Sequence, residues 1–206
     1  MDKDAWLELI NLKEELIPAG RHNRPGLPLA PNRITIHNTD NPDQGADANR
    51  HSLFVRTNGY QEYGGRKKSV SWHYTVDDRV AIRQLPDHER GYHAGSEIGN
   101  GTSIGIEICM QQGIDQAAAN RRAAQLAAYL VVQHRLLPDV VLQHRHWTGK
   151  PCPSQLLDEA AWASFRRLVA GYVEHLRPSG SKHDDPVPLP DPFVFRGAMC
   201  WDDEQP

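Results

Sequence analysis

Hydrophobic and polar positions along the chain fall into runs of two different periods. Residues 4–16 (DAWLELINLKEEL) set Trp6, Leu7, Ile10, Leu12 and Leu16 at near-helical spacing and predict a helix. Pro18, Gly20, Pro25, Gly26, Pro28 and Pro31 then exclude a regular element over 18–32. Residues 33–37 (RITIH) predict a short strand ending in a histidine, residues 38–44 a turn, and residues 46–58 a helix closed by Gly59. Residues 70–76 (VSWHYTV) and 79–85 read as a hairpin turned at Asp77-Asp78. On strand alternation Trp72 and Tyr74 share a face and His73 takes the other. Residues 91–101, with Gly91, Gly95, Gly99 and Gly101, predict a loop. Residues 103–110 (SIGIEICM) form a near-continuous apolar run with one acid, as in a buried central strand. Residues 117–135 predict a helix capped by Asp115, residues 140–143 a strand, and residues 154–157 and 159–176 helices. The last of these carries Trp162, Phe165, Leu168, Val169 and Tyr172 as one stripe.

The order strand, helix, hairpin, strand, helix, strand, helix predicts an α/β fold: a single domain with a mixed central sheet flanked by helices. Residues 1–29 are a helix and Pro/Gly-rich lead-in, and 30–177 the main domain. Residues 178–206 hold six prolines and six acids without a helical or strand period, and read as an extended tail rather than an independent module. A chain of 206 residues is long enough for one sizeable core. Its net charge of −3 gives no support for a nucleic-acid partner or a polybasic anchor. No apolar run approaches a membrane span. The N-terminal residues lack the pattern of a signal peptide, so the chain is expected to be made without a secretion signal. Three cysteines are too few for a disulfide framework. Histidine, with 11 copies, is the unusual residue.

The densest chemistry lies at 143–153 (QHRHWTGKPCP). A histidine and a cysteine eight residues apart, His144 and Cys152, can curl toward one point and offer imidazole and thiolate to Zn2+. His37, at a predicted strand end, is the best third ligand, and three protein ligands leave an open fourth position. Spacing alone leaves the alternative of a surface histidine and a small buried thiol. Glu107 interrupts an apolar strand, so it faces either a cleft, as a general base, or a structural ion-pair partner. Lys150, two residues before Cys152, is either an ordinary solvated lysine or an ammonium near the metal that stabilises a developing oxyanion. His93 sits in a glycine-flanked loop. His22, His51, His88, His134, His175 and His183 carry no supporting context, and His146 is a lower-ranked alternative ligand.

Together, ITIHNT (34–39), VSWHYTVDD (70–78), YHAG (92–95), SIGIEIC (103–109) and HxxxTGKxCP (144–153) resemble the N-acetylmuramoyl-L-alanine amidase family, amidase type 2, which shares its fold with peptidoglycan recognition proteins. The similarity covers residues 30–160 in order and is nearest to the prophage and spore-lytic branch. It implies Zn2+ held by His37, His144 and Cys152, with Glu107 as acid/base and Lys150 as oxyanion stabiliser. It also implies a groove-lining place for His93. Trp72 stands where a related branch has a catalytic tyrosine, leaving it as groove wall or packing. The implied substrate is peptidoglycan, cut between the muramic lactyl carbonyl and L-alanine by a monomer of endolysin or autolysin type. A non-catalytic recognition module and a cytoplasmic amidase for recycled muropeptides are the rival readings.

Overall fold

The chain opens differently from its periodicity. In the computed structural model, which describes residues 3–177, helix α1 (Lys3–Ile10) stops early, and part of the predicted helix is instead strand β1 (Leu12–Glu14). Asn11 makes the break: its φ of 51° is the left-handed conformation that Gly and Asn adopt at helix ends. Its side-chain amide donates to the Arg79 carbonyl, and β1 pairs in parallel with Ala81–Arg83. A tertiary pairing has overridden a good local helix pattern. The predicted tail, with His183, lies outside the described residues.

Strand β2 (Arg33–Asn38) follows the irregular lead-in, and α2 (Ala48–Thr57) is capped by the Asp47 side chain, which accepts from the Arg50 amide. Next comes an unexpected hairpin, β3 (Tyr60–Tyr63) and β4 (Arg66–Ser69). It turns at Gly64 and Gly65, both at positive φ, as a two-residue type I′ turn requires. The Asp77-Asp78 hairpin forms as expected, with short strands β5 (Tyr74–Val76) and β6 (Ala81–Arg83). Helix α3 (Glu97–Thr102), capped by Ser96, occupies the second half of the predicted glycine-rich loop. Strand β7 (Ser103–Ile108), α4 (Gln116–Gln133) with its Asp115 cap, β8 (Val141–Gln143), the single turn α5 (Arg145–Thr148) and α6 (Glu159–Leu176) complete the chain. Residues Ser154–Leu156 form only a 3-10 turn.

Six strands make one mixed sheet in the order β1-β6-β5-β7-β2-β8, with β5 and β6 its antiparallel pair. Its two faces differ because β2 and β7 alternate. Ile34, Ile36, Ile104, Ile106 and Ile108, with Tyr74 and Val76, pack into one core with α4 (Leu126, Leu130) and α6 (Phe165, Val169, Val173). Leu168, expected on the buried stripe, is exposed, and Val173 is buried instead. Thr35, His37, Ser103, Gly105, Glu107 and Thr75 occupy the opposite face. Toward β5 and β6 that face is covered by α2, where Ala48, Val80, Ile82 and Cys109 cluster.

A bend at His73 breaks the predicted strand alternation. Trp72 packs with Ile17, Val55, Val70 and Leu85, whereas Tyr74 belongs to the main core, so the two rings do not share a face. His73 Nδ1 accepts from the Gly105 amide at 3.0 Å while its own amide donates to the Gly105 carbonyl at 3.1 Å. An imidazole thus stands in the ladder where a backbone carbonyl would be.

The N-terminal helix is part of the same core. Trp6 is buried, donates from Nε1 to the Gln125 carbonyl at 3.2 Å and meets the Tyr172 ring edge-on at 5.6 Å. Replacing so large a buried ring leaves a cavity between α1, α4 and α6. Trp6→Ala is expected to lower the unfolding free energy by about 3–5 kcal/mol, measured as a shifted midpoint in urea.

Candidate functional site

The site begins with register. Parallel pairing of β2 and β7 places His37 opposite Glu107, and Thr75 of β5 flanks Glu107 on its other side. These side chains rise from the polar face of the sheet, where His37 is 1% exposed. Two more groups arrive from the end of β8. The His144 amide donates to the Ile36 carbonyl at 3.1 Å, α5 makes one turn, and Gly149 at φ 74° reverses the chain. Trp147 Nε1 donates to Thr35 Oγ1 at 2.9 Å, which pins α5 to β2. The Arg145 amide then bonds the Cys152 carbonyl at 3.0 Å, closing the loop. His37 Nδ1 consequently lies 3.0 Å from His144 Nδ1 and 3.9 Å from Cys152 Sγ. The three candidate ligand atoms lie within 4.8 Å of one another and all three residues are buried, so this group could hold a metal ion. Two imidazole nitrogens and one sulfur suit a tetrahedral Zn2+ with one open position. Two ring nitrogens facing each other at 3.0 Å are also well suited to sharing a cation.

Burial dominates the electrostatics. It lowers the His37 pKa well below the ordinary value, with His93, His144 and Lys150 adding to the effect. It also lowers that of His144, with Lys150 adding. The 3.9 Å approach of His37 to Glu107 is therefore not an ion pair in the metal-free protein. Burial pushes the Cys152 thiol up to about 12, Glu107 adding to it. A bound cation reverses that preference, since the thiolate is the ligand. Burial likewise raises Glu107 to about 8, against the opposing charge of Lys150. Glu107 Oε2 is buried without a hydrogen-bond partner, so one carboxyl oxygen is uncommitted.

His37, Glu107, His144 and Lys150 line one groove of about 740 Å³, and the buried Cys152 lies against His37, its Sγ 3.9 Å from Nδ1. Lys150 is half exposed and lies 3.9 Å from Asp40, whose other oxygen accepts from Ser154. Trp72 lines the groove and is also packed, its Nε1 donating to Thr75 Oγ1 at 2.7 Å. His93 lines the groove too, but both its nitrogens are engaged, with His37 Nε2 at 3.1 Å and the Ser103 carbonyl at 3.2 Å. His146 is exposed and stands outside the metal group. Sequence reasoning missed Asp40, the His22 ring stacked on Tyr60, and the hairpin β3–β4 at the groove rim. Gln61, Tyr63 and Lys68 line the groove, and Lys68 makes no ion pair among the described residues. The Gly64-Gly65 pair was the signal for this hairpin.

A family model described as N-acetylmuramoyl-L-alanine amidase matches residues 27–155. The chain is 39% identical over 165 residues to the N-acetylmuramoyl-L-alanine amidase XlyA of Bacillus subtilis (strain 168), covering 79% of this chain and 52% of the relative. It is 41% identical over 160 residues to the amidase CwlH of the same strain, covering 76% and 60%. It thus spans only about half to three-fifths of these relatives. The solved catalytic domain of XlyA superposes with a TM-score of 0.70 at 39% identity, covering 77% of this chain and 99% of that domain. The structure of PlyL superposes with a TM-score of 0.67 at 29% identity, covering 77% and 96%.

The displaced Glu107 pKa has a stability consequence. Between the ordinary 4.5 and about 8 the folded protein keeps a proton that the unfolded chain releases. The Glu107 contribution to stability therefore falls as pH rises through that window and is level above it. Glu107→Gln removes this term. Urea unfolding of chelator-treated protein is expected to show the Gln variant gaining stability over wild type between about pH 5 and pH 8. A difference independent of pH would mean that this carboxyl titrates normally.

Proposed function

The chain belongs to the N-acetylmuramoyl-L-alanine amidase family, and from that premise we propose that it is a zinc-dependent amidase cutting peptidoglycan between the muramic lactyl carbonyl and L-alanine. The observation that carries the reading is the convergence of His37, His144 and Cys152 within 4.8 Å beside the uncommitted Glu107 carboxyl. His37, His144 and Cys152 would hold the ion. When bound, it supplies a Lewis acid that polarises the amide carbonyl and acidifies a water.

Glu107 takes a proton from the attacking water and returns it to the departing L-alanine nitrogen as the C–N bond breaks. A carboxyl raised toward neutrality by burial suits both halves of that transfer. Lys150 Nζ, at the groove rim, stabilises the negative charge that develops on the carbonyl oxygen. Tyr63 and Lys68 of the hairpin line the same groove, within reach of a substrate bound there. Residues 30–177 act as the catalytic domain on this reading. Action on the intact wall is favoured over recycled muropeptides because a structure at 39% identity is described as a Bacillus subtilis endolysin. Among the described residues no helix is long and apolar enough to cross a membrane.

Glu107→Ala and Lys150→Ala are each expected to keep zinc at wild-type stoichiometry and to lose at least about 100-fold in kcat. Mass spectrometry of digested peptidoglycan reads the reaction directly, as a new L-alanine amino terminus. Full activity in either variant would remove that residue from the mechanism. A wild-type protein that binds zinc and wall fragments but releases no such terminus would be a recognition module.

A further inference from the structure

We infer that His93 is a positioning residue: it fixes the tautomer of His37 and thereby directs a bare Nδ1 at the point shared with His144 and Cys152. The inference rests on the metal-site reading above, and it follows from a chain of hydrogen bonds that starts at the backbone. The Ser103 carbonyl can only accept, so His93 Nε2, 3.2 Å away, must carry the hydrogen. A neutral imidazole has a single N–H, and burial disfavours the imidazolium, so His93 Nδ1 is an acceptor. It lies 3.1 Å from His37 Nε2, which must therefore donate. His37 has then spent its one hydrogen, and its Nδ1 presents a lone pair toward His144 Nδ1 at 3.0 Å and Cys152 Sγ at 3.9 Å.

The rest of the neighbourhood holds the His93 ring in that place. Gly105 lies beneath it on β7, where an added Cβ would come within 2.7 Å of Cγ and Nδ1 of the ring. Asn100 Oδ1 accepts from the amides of His93 at 2.9 Å and Ala94 at 2.8 Å, fixing the loop from below. The His37 and His93 rings cross nearly at right angles, at 86°, with centroids 5.2 Å apart. The glycine of the SIGIEI strand is thus a seat for an imidazole. With both nitrogens committed, His93 has none to offer a substrate; only its ring surface borders the groove. Partners that orient the outer nitrogen of a ligating histidine contribute substantially to metal affinity.

The test is zinc affinity, measured on the full chain by competition with a chromophoric chelator, with the melting temperature of the metal-free protein alongside. His93→Phe keeps a ring and removes the acceptor. Gly105→Ala displaces the His93 ring and leaves both histidines in the chain. Each is expected to weaken zinc binding about 10- to 100-fold. His93→Asn, whose Oδ1 can stand where Nδ1 stood, is expected to bind zinc near the wild-type value. Wild-type affinity in His93→Phe would overturn the inference. So would equal losses in Phe and Asn variants that track a falling metal-free melting temperature, which would assign His93 to packing. A wild-type protein that binds no zinc would instead overturn the metal-site reading itself.

Discussion

Everything in this molecule depends on one pairing: β2 beside β7 with His37 opposite Glu107. Side chains on strands alternate, so a slip of one residue would carry every isoleucine of a strand to the polar face and every site residue into the core. Five isoleucines guard against that slip, each contributing about 1.5–3 kcal/mol by burial. The polar side chains of the opposite face could not replace that sum. The packing that stabilises the sheet is therefore the same packing that aims the site, and neither can be changed alone.

The polar face is stable because its groups are uncharged or bonded to one another. Burial holds His37, His93 and His144 toward the neutral form and keeps Glu107 and Cys152 toward the protonated form. Thr35, Ser103 and Trp147 satisfy each other, with Thr35 Oγ1 donating to Ser103 Oγ and accepting from the indole. Among the groove-lining residues, Glu107 Oε2 and His144 Nε2 are buried without a hydrogen-bond partner. Lys150 lies at the rim, half in solvent, 3.9 Å from Asp40.

Much of this was legible in the sequence. The ITIH and SIGIEI strands, the capped α4 and the Asp77 hairpin follow from local chemistry, and His37, Glu107, His144, Lys150 and Cys152 stand in the ordered motifs that carried the family resemblance. What escaped has common physical causes. Residues 12–14 have a helical pattern, but Asn11 turns the chain and β6 offers a ladder. Helix α3 was hidden by its glycines, and Gly99 is needed there because a Cβ would strike Ala94 and Trp147. Trp72 changed faces because an imidazole, not a carbonyl, completes the ladder at Gly105. Asp40 and His22 matter only through partners distant in sequence, and no local pattern marks such residues. Gly105 is the extreme case, since its contribution is the absence of a side chain.

The family match stops at residue 155 and starts at 27, yet α1, β1 and α6 lie outside it and share the same core. Phe165, Val169 and Val173 of α6 cover the isoleucine face together with α4, and Trp6 and Ile10 lie against the same cluster. Uncovered, that face would expose the residues that hold the β2–β7 register. The stretch that carries the chemistry therefore depends on flanking helices that carry none. These helices act on the groove through the sheet, by fixing which of its faces is turned toward the substrate.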